Sequence, residues 1–102
     1  MSENGEDKDA VMLEELGNAL IDLEVKFRAS TLKERTELRP ELERLLESYG
    51  GYRLKLLKEG VITGEDDLDE IRSIQQEIDS AAKKEALLKA ILRTAVFVAT
   101  KL

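Results

Sequence analysis

The chain has 102 residues, of which 42% are hydrophobic and 37% charged, with a formal net charge of −6, no histidine and no cysteine. Disulfides, thiol chemistry, soft metal sites and a histidine general base are therefore excluded; the acidic balance also argues against a nucleic-acid binder, because neutralising phosphates needs a concentrated basic face. A chain of this length can bury one core without cross-links, and with only Phe27, Tyr49, Tyr52 and Phe97 aromatic that core is expected to be aliphatic.

The opening MSENGEDKD has neither a basic leader nor an apolar run. Residues 1–8 are expected to form a disordered acidic tail, residues 9–102 a single helical domain, and the whole a cytoplasmic protein. Leu13, Leu16, Leu20, Leu23 and Phe27 then recur at steps of three and four, which predicts a first helix over about 9–29.

The next stretch, STLKE, sets Glu34 three residues after Thr31, a capping-box spacing that starts a second helix after a very short connection. Leu38, Leu42, Leu45, Tyr49, Tyr52 and Leu56 keep one phase along it. Pro40 lacks an N–H and the Gly50–Gly51 pair weakens a helix interior, so a helix over about 31–59 is expected to bend near both points.

KEGVITGEDDLDEI reads as a tight helix-turn-helix. Gly60 suits a left-handed position after the helix end, Thr63 can cap the third helix, and Glu65, Asp66 and Asp67 fall in its first turn, where the macrodipole favours anions. This stretch resembles the hairpin of SHOCT-type oligomerisation modules, and the resemblance extends no further than the turn. The crowded carboxylates lack the alternating spacing and trailing glutamate of a calcium loop, so stabilisation of a helix start is the expected role. With no Gly or Pro beyond Gly64, the third helix is expected to run over about 64–101, roughly 55 Å long at 1.5 Å per residue. The predicted fold is all-α: a three-helix antiparallel bundle, or long helical hairpin, with coiled-coil-like seams and helix three the longest.

Charge is segmented along the chain: the sum is −5 over residues 1–30, +1 over 31–60, −6 over 61–82 and +4 over 83–102. The last segment, ALLKAILRTAVFVATKL, has twelve apolar residues in seventeen. Laid on a helical wheel, Leu87, Leu88, Ile91, Leu92, Ala95, Val96, Val98, Ala99 and Leu102 fill a continuous half of the circumference, whereas one neighbour in a bundle needs a stripe of a little over about 100°. The excess predicts an association surface at Leu88, Ile91, Leu92, Ala95 and Val98. Its preferred occupant is a second copy in a symmetric dimer, followed by a membrane surface and then a different protein; the alternative is that helix one folds over the whole face within a monomer. Phe97 lies nearly opposite the centre of that face, and is expected either to contact a partner or to be covered as core by helix one or a second subunit.

The functional expectation is a non-enzymatic helical interaction protein, an oligomeric scaffold or adaptor without cofactor or metal. The alternatives are a small acidic regulator that occupies a basic groove of a target protein, and a peripheral membrane-associated helical protein.

Overall fold

Asp7 opens the first helix, its carboxylate accepting from the backbone N–H groups of Asp9 and Ala10 and so satisfying two of the donors that a helix start leaves free. Helix α1 (Lys8–Ala29) follows, and Asp7 and Lys8 thus belong to the folded unit rather than to a tail. The computed structural model describes residues 7–60 and 62–102; the rest of the expected tail, residues 1–6, lies outside them.

Thr31 and Glu34 start α2 (Leu32–Lys58) reciprocally: the Glu34 carboxylate accepts from Thr31 N–H at 3.0 Å and the Thr31 hydroxyl accepts from Glu34 N–H at 3.2 Å. The helix then runs unbroken through Pro40 and the two glycines. Pro40 lies on the exposed side, as does Thr36, whose carbonyl loses its partner there, so water can replace the missing N–H.

The main correction concerns the third helix, which is two helices. Helix α3 (Glu65–Ser80) ends at Ala81, and α4 (Lys84–Ala99) begins after Lys83, both flanking residues being extended. The Lys26 ammonium closes the end of α3 by donating to the carbonyl oxygens of Asp79 (3.1 Å) and Ala81 (2.7 Å). A continuous helix would carry Leu87, Ile91, Phe97 and Val98 away from the first two helices. Folding back buries all four. Each gains about 1.5–3 kcal/mol by burial, against less than about 1 kcal/mol of helix propensity for each of the three residues given up.

The outcome is a four-helix bundle, and no strand occurs among the described residues. Helices α1 and α3 lie side by side and parallel, joined by Arg72–Glu15, Gln75–Asp22 and Lys26 at successive levels. Helices α2 and α4 form the other parallel pair, joined by Lys84–Glu37 at one end and by Lys55 on the carbonyls of Lys101 and Leu102 at the other. Between the pairs the core is aliphatic, built on Met12, Leu16, Leu23, Leu38, Leu45, Ile71, Ile74, Ile78 and Ile91.

The crossing from α2 to α3 passes over the end of the bundle. Gly60 takes φ +75°, a conformation that disfavours any residue with a Cβ. Thr63 does not cap α3 as its position suggested. Gly64 occupies that place with its N–H donating to the Asp67 carboxylate at 2.9 Å. Thr63 is instead buried, and the carboxylate of buried Asp9 accepts from its hydroxyl (2.6 Å), its N–H (3.0 Å) and the N–H of Ile62 (3.2 Å). That carboxylate fixes the crossing to the start of α1.

Asp9→Ala should therefore destabilise the fold by about 2 kcal/mol or more, because two backbone N–H groups and a hydroxyl lose their acceptor in a dry site. Gly60→Val should cost more than about 1 kcal/mol through its left-handed φ alone. Urea unfolding of each variant checks both; Asp9→Ala unfolding like the parent would mean that the crossing is held by other contacts.

Candidate interaction surface

Helix α4 presents two different sides. Its inward stripe is Leu87, Ala90, Ile91, Thr94, Phe97 and Val98, all buried. Thr94 can take a core position because its hydroxyl donates to the Ala90 carbonyl at 2.7 Å, leaving no polar atom unpaired. The outward side carries Leu92 and Val96 at 42% and 63% exposure, with Ala99 exposed and Leu88 and Ala95 partly covered, and Leu102, just beyond the helix end, is 56% exposed.

The six residues expected at an interface are thereby divided. Ile91, Val98 and Phe97 belong to the interior of the single chain, Leu88 and Ala95 lie at its margin, and Leu92 is open to solvent. The reversal at Ala81–Lys83 resets the helical phase: the seam of α3 passes through Ile71, Ile74 and Ile78, but α4 continues it with Leu87, Ile91, Thr94 and Val98 rather than with Leu88, Leu92, Ala95 and Ala99. Phe97 packs edge-on against Tyr52, ring centroids 6.5 Å apart, with the Lys101 ammonium 5.1 Å from its centroid. This is the core alternative for Phe97.

The end of α4 is fixed where the strip terminates. Lys101 bonds the carboxylate of Asp67 on α3, and Lys55 of α2 donates to the Lys101 carbonyl at 3.0 Å. Leu102 lies against Gly51, close enough that a β-carbon there would stand 3.4 Å from its Cδ2. Beneath this end lie buried Tyr52, Thr63 and Asp9, with the partly exposed Asp67 beside them. Burial, together with the nearby Asp67 carboxylate, pushes the Tyr52 phenol up to about 12. Burial works against ionisation of Asp67, but the Gly64 N–H and the Lys101 ammonium outweigh it and hold this carboxyl below its usual range. None of these residues was singled out as a site from sequence, since their partners lie on other helices.

Among the described residues no group of three or more acidic side chains converges as a metal site, the Glu65–Glu70 run included, and no helix is long and apolar enough to cross a membrane. Comparisons of the chain with protein-family models, with curated proteins and with solved structures give no match.

The two ionisable groups give opposite pH signatures. For Tyr52 the folded pKa lies above the unfolded value near 10, so its contribution is complete below pH 10 and is lost as pH rises towards 12. For Asp67 the folded pKa lies below the unfolded value near 3.8, so its contribution is present above that pH and is lost on acidification through the folded value. Tyr52→Phe should flatten the alkaline limb of stability and Asp67→Asn the acid limb, read by urea midpoints across pH; parallel curves for parent and variant would refute the assignment.

Proposed function

We propose that the protein is a non-enzymatic helical association module that pairs with a second copy of itself through the outer side of α4. The observation that carries this reading is the run of Leu92, Val96 and Ala99 on α4 with Leu102 just beyond its end, which the chain's own bundle leaves to solvent. Large apolar side chains grouped on one face are a poor choice for a solvated surface and a good one for a helix-to-helix contact. Ala95 and Ala99 permit close approach of a second helix. Of the α4 cations, Lys84 is paired with Glu37 and Arg93 with Glu70 and Glu77, which leaves Glu85 and Lys89, of opposite sign, beside the strip. The absence of histidine and cysteine from the sequence supports a role that lies in contact rather than in catalysis.

Replacing Val96 or Leu92 by aspartate tests this without touching the core; Ile91 is unsuitable, since a charge there would enter the interior. Light scattering at two concentrations should give about twice the chain mass for the parent and the single-chain mass for Val96→Asp, with circular dichroism unchanged. A parent that stays a monomer at both concentrations, or a Val96→Asp variant that stays a dimer, rejects the reading.

A further inference from the structure

We propose that the opposite face of the bundle, formed by α1 and α3, binds a cationic amphipathic helix of another protein. The pairing of helices sorts the charges into two layers. Helices α1 and α3 together hold twelve acidic residues against four basic ones, whereas α2 and α4 hold ten basic against six acidic. The strongest field on the molecule is thus negative and lies over one pair of parallel helices.

That face is not merely charged. Between α1 and α3 runs an open groove of about 610 Å³ whose lining includes Ile21, at 57% exposure, with Asp22 and Asp79 at its rim. Both carboxylates accept from the same Gln75 amide, at 2.7 and 3.0 Å, so their positions are set before any ligand arrives. Val25, at 60% exposure, stands one turn beyond Ile21 on the same side of α1, and exposed Glu14 stands two turns before it. Among the described residues that line the groove Arg72 is the one cation, and it is taken up by Glu15 at 2.9 Å. Two parallel helices make a straight trough, roughly 24 Å long for the sixteen residues of α3 at 1.5 Å each, which suits an entering helix. Leucine-like side chains one turn apart on that helix would meet Ile21 and Val25, and flanking lysines or arginines would meet Glu14, Asp22, Asp69 and Asp79. An anionic lipid surface or nucleic acid would be repelled by the same field. This proposal uses a different surface from the α4 strip and stands independently of self-pairing.

The probe is a short fluorescent peptide of leucine and lysine in helical phase, with a scrambled peptide of the same composition as its control. By anisotropy the full chain should bind the amphipathic peptide saturably and more weakly as salt rises. Ile21→Ser/Val25→Ser and Glu14→Lys/Asp69→Lys should each weaken binding by about tenfold or more, while Val96→Asp leaves it unchanged and all variants melt like the parent. No binding, equal binding of the scrambled peptide, or retention of full affinity by either double variant would overturn the proposal. So would a fall in the mass of the protein alone on Ile21→Ser/Val25→Ser, because the face would then be occupied by a second copy.

Discussion

The Lys26 ammonium, seated on the carbonyl oxygens of Asp79 and Ala81, holds the chain at the reversal that returns α4 to the bundle. A helix end leaves carbonyls without partners, and a cation from a neighbouring helix answers both the hydrogen bonds and the negative end of the dipole. The turn it secures brings α4 back beside α2, and only then do Ile91, Phe97 and Val98 meet Tyr52 and the rest of the interior. The aliphatic core is thus shared by all four helices, and the ion pairs between them run along its edges. Most of those pairs are at least partly exposed, including Arg72–Glu15 and Lys84–Glu37, and such pairs set register more than they add stability.

From this reversal comes the division of the surface. The crossing that Asp9 ties down sets α3 parallel to α1, and the turn after α3 sets α4 parallel to α2. Segments that alternate in charge along the chain are thereby collected by sign into layers. The apolar excess of the C-terminal segment is divided as well: one half of its circumference enters the core and the other remains outside on α4. The two faces therefore offer different chemistry, one an apolar strip on the net-basic helix pair, the other acidic around an apolar groove.

Much of the helical framework was legible in the sequence because it rests on contacts within a few residues. The Thr31–Glu34 box, the positive φ at Gly60 and the acidic first turn of α3 are of this kind. The break at Ala81–Lys83 was not, since no Gly or Pro marks it and its stabilising cation is more than fifty positions away at Lys26. Losing the break also displaced the phase of everything after it. On the phase of an unbroken helix Ile91 and Val98 share one outer face with Leu92 and Val96, whereas the reversal buries the first two and leaves the other two exposed. Asp9 and Thr63 escaped for the same reason, as a buried polar pair is visible only once the crossing brings its members together.

The distance between the start of α3 and the end of α4 tests the reversal most directly. Spin labels at exposed Asp66 and Thr100, in a doubly labelled chain diluted into an excess of unlabelled protein, report that distance within one molecule. Helices folded back on each other, with Lys101 beside Asp67, should place the labels within roughly 20 Å, given interaxial distances near 10 Å and the reach of the labels. A single unbroken helix would hold them roughly 50 Å apart at 1.5 Å per residue, and that result would contradict both the fold and the surfaces derived from it.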